Sequence, residues 1–291
     1  MNKIKINKKG LKIGFIGQGW VGKNCADDFE NRGFKIIRYS LEDEYVENKE
    51  KIKKCDFVFI AVPTPTTPEG FDVSFIKQVI GLVGKGKIAI IKSTIIPGTT
   101  EKLQKENPDI FIVHSPEFLR EVSAADDAAH PVRNIIGIPV DNKEYRGIAK
   151  DILSILPKAP YELIYNSKEA EIIKYANNSF LYFKVIFANI LYDLVKESGM
   201  DWKVVKETVT ADPRIGSSHM EPIHFSGRGA GGHCFIKDFA LFSKMYKDVV
   251  DNKRGLDLLE AMEEKNKELL KESNKDLDLL QGVYGLNKKR K

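Results

Sequence analysis

The sequence predicts an α/β fold, a doubly wound parallel sheet followed by an all-helical central domain. Three observations carry that prediction. Up to Asn166, short continuous apolar runs alternate with amphipathic stretches, as expected for strands buried on both faces of a parallel sheet. At the first strand-to-helix junction lies Gly17-Gln18-Gly19-Trp20-Val21-Gly22, a glycine-rich turn. After Asn166 the short runs cease and long stretches of helical periodicity take over.

Each element follows from its residues. Leu11 to Ile16 is a short apolar strand, followed by an amphipathic helix to about Arg32. Phe34 to Tyr39 reads as the second strand. Asp56 to Val62 is the third, stopped by Pro63-Thr64-Pro65, which cannot continue a ladder. Lys87 to Lys92 and Ile110 to His114 are further buried strands, each followed by a loop, Ser93 to Thr99 and Ser115 to Arg120. Asn134 to Ile138 and Tyr161 to Tyr165 complete the sheet. A single helix is then expected from Ser167 to about Ser198, with Ser167 as N-cap, Glu169 and Glu171 favourable in the first turn, and Gly199 ending it. Further helices are expected at Trp202 to Thr210, Asp238 to Asp248 and Leu256 to Leu280. This gives a dinucleotide-binding domain over 1–166, a helical domain over 167–282 and a basic tail over 283–291.

Composition narrows the class. The 291 residues are 42% hydrophobic and 30% charged, with a net charge of +5 and charges of both signs interleaved. A nucleic-acid binder would show a clustered basic stripe, so no nucleic-acid partner is expected. The dense run Lys288-Lys289-Arg290-Lys291 reads as a solvated tail. Cys25, Cys55 and Cys234 have no metal-type spacing and cannot all pair, which fits a reducing, cytoplasmic setting without a metal. Met1 to Gly10 lacks the apolar stretch of a secretory signal. The longest apolar run, Phe180 to Val195, is broken by Lys184, Asn189 and Asp193, so no membrane span is expected.

Two segments carry chemistry. Gly17, Gly19 and Gly22 follow a strand and open a helix, the context in which this spacing permits a tight turn and faces amides toward a pyrophosphate. That is a Rossmann-like dinucleotide site, against the plain reading of an ordinary β–α turn. The acid expected about 20 residues on for the adenosine ribose is replaced here by Arg38-Tyr39-Ser40. Glu42 or Asp43 could substitute for it. Equally, Arg38 and Ser40 could accept a 2′-phosphate, which leaves NAD and NADP both open. The second segment is Gly227 to Asp238, a glycine-dense loop running into Cys234, with Lys237 and Asp238 beside it. It reads either as a reactive thiolate on a ligand-contacting turn or as an inert cysteine on an ordinary one.

Several segments together resemble the nucleotide-sugar 6-dehydrogenases, the UDP-glucose/GDP-mannose dehydrogenase family. They are Val62-Pro63-Thr64-Pro65, Ser93 to Thr100, Ser115 to Glu121, Pro131-Val132-Arg133, Glu171 to Asn178 and the Gly227 to Asp238 loop, in the family's order over roughly residues 11 to 266. The resemblance implies NAD-dependent oxidation of the C6 alcohol of a nucleotide sugar to a uronic acid. Two hydrides leave, the second through a thiohemiacetal and thioester on Cys234. By the same resemblance Lys174 and Asn178, four apart on one helix face, stabilise the oxyanion, and Thr94, Glu121 and Asp238 hold water or manage protons. Cofactor contacts fall on Gly17, Gly19, Trp20, Val21, Gly22, Ser40, Val62, Pro63, Thr64, Thr94 and Glu121. Substrate contacts fall on Glu117, Phe118, Leu119, Lys174, Asn178, Gly229, Gly231, Gly232 and Lys237, and the long helix forms a homodimer core.

Plainer readings stand beside these. Lys174 could be an exposed helix lysine, Glu117 and Glu121 a solvated i,i+4 pair, and Thr94 a turn cap before Pro97. The chain also departs from the family. Ile236 stands where proline is usual, Ile190 where an acid is usual, and the stretch from Ser40 to Cys55 is short. The family's third, α/β domain has no counterpart before Lys291, so the nucleotide half of the substrate is expected to be bound by another subunit or not at all. Two other functions fit the same architecture: a single-hydride β-hydroxyacid dehydrogenase, which needs no cysteine, and a cofactor-binding remnant without turnover.

Overall fold

A computed structural model describes residues 10–67, 70–225 and 227–285. The lysine-rich N-terminus up to residue 9 and the Lys288–Lys291 run lie outside the described residues. In chain order β1 (Ile13–Ile16), α1 (Trp20–Asn31), β2 (Ile36–Tyr39), α2 (Lys49–Ile52) and β3 (Phe57–Ile60) alternate. A short excursion, β4 (Thr66–Thr67) and β5 (Gly70–Phe71), precedes α3 (Ser74–Ile80), β6 (Ile88–Ile91), α4 (Thr99–Glu106) and β7 (Phe111–His114). Then come α5 (Ala124–Ala129), β8 (Arg133–Ile138), α6 (Lys143–Ile155), β9 (Tyr161–Asn166) and α7 (Ser167–Glu197). The chain closes with α8 (Trp202–Thr210), β10 (Ile223–His224), β11 (Gly227–Arg228), α9 (Gly232–Val249), α10 (Lys253–Glu272) and α11 (Leu277–Tyr284).

Two compact units result. The first takes the described residues up to Thr64 and from Asp72 to Lys174; the second takes the described residues between Pro65 and Phe71 and those from Tyr175 onward. The boundary therefore falls two turns inside α7 rather than at Asn166, because the opening of that helix is bonded into the first unit. Glu171 accepts from the amides of Gly98 and Thr100.

The first unit holds a seven-stranded sheet in the order β2-β1-β3-β6-β7-β8-β9. The central strands β1, β3 and β6 are apolar and buried at every position because both faces are covered, whereas β2, β8 and β9 toward the edges carry polar residues. Phe15 stacks on Phe59 at 4.8 Å, and Phe29 of α1 meets Phe15 edge-on at 5.3 Å. On the other side of the series, Ile148, Ala149 and Ile152 of α6 join the same core. The sheet is not wholly parallel. β7 and β8 meet antiparallel, through His114 and Gly137, and β9 then runs parallel to β8. The chain order places β2 on one side of β1 and β3 on the other, so the connections diverge above β1 and open a crevice at the strands' carboxyl ends.

The second unit is built around the later part of α7. Tyr182 stacks on Phe239 of α9 at 3.9 Å, with Val185, Ile186, Leu259 and Leu269 around them. Ile236, where the family usually has proline, is buried against Leu270 and Leu280. Among the described residues the unit's regular structure is helical apart from two short hairpins, β4–β5 and β10–β11.

Three local expectations are corrected. Ser167 does not cap α7: strand β9 runs directly into the helix, Ser167 is its first residue, and its buried hydroxyl finds no hydrogen-bond partner among the described residues. Helix α9 starts at Gly232 rather than Asp238, because the Gly232 amide donates to Asp276 at 2.7 Å and so begins the turn despite the glycines. The expected helix from Leu256 to Leu280 is two, broken where Asn274 and Asp276 take the left-handed conformation that short polar side chains tolerate.

Candidate functional site

The fingerprint glycines can be tested directly as a cofactor cradle. A Cβ on Gly17, whose φ is +89°, would meet the Ala61 carbonyl oxygen at 2.3 Å, and one on Gly22 would meet the Gly17 oxygen at 1.9 Å. The turn, the helix start and the end of β3 are thus in backbone contact. Gly19 has nothing within 4 Å of its Cβ position, and it caps α1 without a side-chain hydrogen bond to the amides of the first helical turn. These residues fit a pyrophosphate on a helix N-terminus. Trp20 is exposed and Val21 half-buried beside them.

The neighbouring loops are tied together. Thr64 donates its hydroxyl to the Thr94 carbonyl at 2.8 Å, and Ser93 donates to the Val62 carbonyl at 2.7 Å. Val62, Pro63, Thr64 and Thr94 therefore form one braced rim at the ends of β3 and β6, and the Thr64 hydroxyl is used in the bracing.

At the end of β2 the expectation for Arg38 is corrected. Its guanidinium donates to Gln18 Oε1 at 3.2 Å, Asp27 Oδ1 at 2.7 Å and Glu30 Oε2 at 2.6 Å. A cation engaged by two carboxylates is not on offer to a 2′-phosphate, and NADP loses its proposed anchor. Ser40 is half-buried and accepts from the Glu42 amide.

A second cluster lies at the start of α7 and the loop after β7. Lys174 Nζ stands 2.9 Å from Glu117 Oε1, with the two side chains only 5% and 10% exposed. Such burial excludes both the exposed-lysine and the solvated-pair readings. Glu117 also accepts from the Leu119 amide at 2.8 Å, which shapes the loop. The Phe118 ring carries the Arg133 guanidinium at 3.7 Å, and Lys174 Nζ lies 5.6 Å from its centre. Glu121 is not brought into this hydrogen-bonded group; it sits exposed at the start of a 3₁₀ turn, Glu121–Ser123.

Sequence reasoning missed three members of this neighbourhood. Lys92 lies 3.3 Å from Ser115 Oγ, and burial lowers its amine below the ordinary lysine value. Burial likewise brings His114 down to about 3, so its imidazole is neutral. Glu171 accepts from the Gly98 amide at 2.5 Å, the Thr100 amide at 2.8 Å and the Thr100 hydroxyl at 2.6 Å. Burial nevertheless raises its carboxyl to about 7. The signal available was position: Lys92 and His114 each directly precede a family segment, and Glu171 opens one.

In the second unit Cys234 lies exposed in the first turn of α9, not in a loop. A helix start favours negative charge, which suits a thiolate. The other two thiols are different: burial raises both Cys25 and Cys55 to about 11. One turn beyond Cys234, Asp238 is fully buried and accepts from Asn178 Nδ2 at 2.7 Å. Lys237 Nζ is 2.8 Å from the other Asp238 oxygen, an ion pair rather than a directed hydrogen bond.

The glycine loop before Cys234 is largely committed to its own unit. Gly229, at φ +87°, leaves no room for a Cβ, which would meet Asn266 Oδ1 at 2.9 Å. Asn266 bonds both the amide and the carbonyl of Ala230, at 2.7 and 3.0 Å. Lys275 Nζ lies 3.3–3.4 Å from the carbonyls of His224, Gly227 and Gly229. Gly231 is the extended N-cap of α9, and the Gly232 amide is taken by Asp276. The expectation that Gly232 contacts substrate is therefore corrected at its amide. Among the described residues there is no group of metal-binding side chains, and no helix is long and apolar enough to cross a membrane.

Comparison with known proteins bears on the family. The chain matches the NAD binding domain of the UDP-glucose/GDP-mannose dehydrogenase family over residues 44–155 and that family's central domain over residues 168–268. It is 31% identical to a UDP-glucose 6-dehydrogenase of Rickettsia bellii, over 89% of this chain and 67% of that protein. To a UDP-glucose 6-dehydrogenase of Haloferax volcanii it is 28% identical, over 79% of this chain and 64% of that one. The chain thus spans about two thirds of the length of the curated relatives it matches. Among solved structures, a UDP-glucose dehydrogenase of the archaeon Pyrobaculum islandicum superposes with a TM-score of 0.76 at 26% identity, covering 94% of this chain and 71% of that one. With a braced glycine cradle, a helical second unit and matches to both domains, the chain belongs to the UDP-glucose/GDP-mannose dehydrogenase family, with its NAD-binding and central domains.

Proposed function

We propose that this chain oxidises the C6 alcohol of a UDP-glucose-like nucleotide sugar to the uronic acid in two steps, with Cys234 as covalent nucleophile. The observation that carries this reading is Cys234 itself: it is the exposed cysteine, in the first turn of a helix whose next turn holds a buried Asp238 bonded to Asn178. Bound NAD supplies the hydride acceptor for each oxidation. In the first, the alcohol loses a hydride and a proton and becomes an aldehyde. The Cys234 sulfur then adds to the aldehyde carbon, giving a thiohemiacetal, and loss of a second hydride leaves a thioester. Water attacks that carbonyl, the C–S bond breaks, and the carboxylic acid leaves with the thiol restored.

The surrounding side chains have matching roles in this proposal. Lys174, kept in place by Glu117, and Asn178, oriented by Asp238, stabilise the oxyanions formed on addition and hydrolysis. Thr94 and Glu121 handle water and protons, while Phe118, Leu119, Gly229, Gly231 and Lys237 contact the substrate. The braced rim of Val62, Pro63, Thr64 and Thr94 contacts the cofactor along with Ser40. A single-hydride oxidation of a β-hydroxyacid leaves Cys234 without a task, and is not preferred.

A homodimer through α7 fits the same reading. Phe180, Phe187, Ile190 and Leu194 recur at helical spacing along α7, and each is more than half exposed. Ile190, the departure from the usual acid, extends that apolar stripe. Cysteines without disulfides accord with a cytoplasmic setting. The decisive experiment supplies UDP-glucose, UDP-N-acetylmannosamine or GDP-mannose with NAD and counts reduced cofactor per product. About two per acid are expected, and Cys234→Ser is expected to lose acid formation. No reduction with any sugar nucleotide, or a fully active Cys234→Ser, overturns the proposal.

A further inference from the structure

The charge cluster beside the fingerprint does more than fill a surface. Arg38 lies one residue before the end of β2, and Ser40 directly follows the strand. That is where an adenosine ribose is bound in this kind of sheet, by an acid when the 2′-hydroxyl is bare and by an arginine when it is phosphorylated. Here the acid is missing from β2 and an arginine is present, which by itself would select the phosphorylated cofactor. The arginine is instead held from the side by α1. Asp27 and Glu30 take one terminal nitrogen at 2.7 and 2.6 Å, and Gln18 of the fingerprint takes the other at 3.2 Å. Lys23 shares Asp27, at 2.7 Å.

We propose that Asp27 and Glu30 set the cofactor choice of this chain, by holding Arg38 as an internal ion pair and so denying it to a 2′-phosphate. Selection for the bare ribose is thus exercised from helix α1, without an acid at the end of β2. The argument rests on the NAD-binding reading of the fingerprint and adds the residues that discriminate. Charge balance supports it. The open cavity of about 570 Å³ beside the cluster is lined by Lys23, Arg38 and Lys51 against Asp27, Glu30 and Glu44, an even match of signs. Neutralising Asp27 and Glu30 leaves that wall cationic and frees the planar donor that suits phosphate best.

The test is a gain of affinity. The wild type, Asp27→Asn/Glu30→Gln, and the same pair combined with Arg38→Ala are titrated with NADH and NADPH by fluorescence, and with ADP and 2′,5′-ADP by calorimetry. Circular dichroism of each variant controls for folding, and Glu30→Gln alone should give a smaller step in the same direction. The double variant is expected to bind NADPH and 2′,5′-ADP at least about tenfold more tightly than the wild type, with NADH changed by less than about threefold. Adding Arg38→Ala should remove the gain. An unchanged NADPH affinity in the folded double variant, or a gain that survives loss of Arg38, overturns the proposal. Failure of every protein to bind any of the four nucleotides would instead overturn the dinucleotide reading on which it rests.

Discussion

Replacing Glu171 by glutamine isolates the energetics of one buried carboxyl. Glu171 is wholly buried, and its carboxyl is raised from the ordinary 4.5 to about 7, chiefly by burial, even though three donors point at it. A carboxyl whose folded value exceeds its unfolded one binds its proton more tightly in the native state. Its stabilising contribution is therefore complete below about pH 4.5 and is lost as the pH rises through about 7. At about 1.4 kcal/mol per unit, that gap is worth about 3 kcal/mol. Glutamine keeps the shape, removes the titration, and loses about one hydrogen bond because its amino group faces a donor, a cost of about 1 kcal/mol at every pH. Urea unfolding of both proteins at about pH 5 and about pH 8 separates these effects. The stability of wild type minus variant is expected to fall by about 2.5 kcal/mol between the two conditions, because at about pH 5 the unfolded carboxyl is already mostly ionised. Parallel curves would show that burial does not govern this carboxyl. A difference that grows with pH would show that the amides of Gly98 and Thr100 overcome it.

Two further outcomes follow from close contacts. Gly22→Ala puts a Cβ 1.9 Å from the Gly17 oxygen, so the fingerprint turn must shift and NADH affinity should fall more than about tenfold; an unchanged fluorescence titration refutes this. Asn266→Ala strands both the amide and the carbonyl of Ala230 in a buried site, and should cost about 3 kcal/mol in urea unfolding. A cost below about 1 kcal/mol would mean that the glycine loop is not held by this clamp.

Much of the fold was legible because buried parallel strands write themselves as unbroken apolar runs. Phe57–Ile60 and Ile88–Ile91 need no alternation to be recognised, and each lies inside the stretch that periodicity marks out. Direction is another matter. The antiparallel meeting of β7 and β8 leaves no trace in composition, since a buried strand reads the same either way. Helix ends failed where a distant partner made the turn. Asp276 starts α9 from across the unit, and Asn274 and Asp276 break a stretch whose periodicity runs on without interruption. In the site, the four-residue spacing of Cys234 with Asp238 was not readable as one helix face, because the sequence predicts that helix only from Asp238 and it starts at Gly232. That of Lys174 with Asn178 was readable from helix geometry alone. The partners were not: Lys174 with Glu117, and Arg38 with Asp27 and Glu30, are set by how strands and helices stack. Arg38 is the instructive case, since residue type alone left a 2′-phosphate open as a partner, and in the structure two carboxylates on a neighbouring helix take that guanidinium.

The excursion β4–β5 has a consequence for synthesis. It leaves the first unit after β3 and belongs to the second, where α11 packs against β4. About two hundred residues separate β4 from that helix, a long-range pairing that forms late in folding. At about 5–20 residues per second, a ribosome needs about ten to forty seconds to deliver α11 after β4 has been made. The first unit does not wait, because β3 and β6 pair directly across the excursion. A nascent chain stalled before Leu277 would therefore carry a closed first sheet and a hairpin without its cover, and a protease would cut it near Thr66–Thr67 while sparing the finished protein.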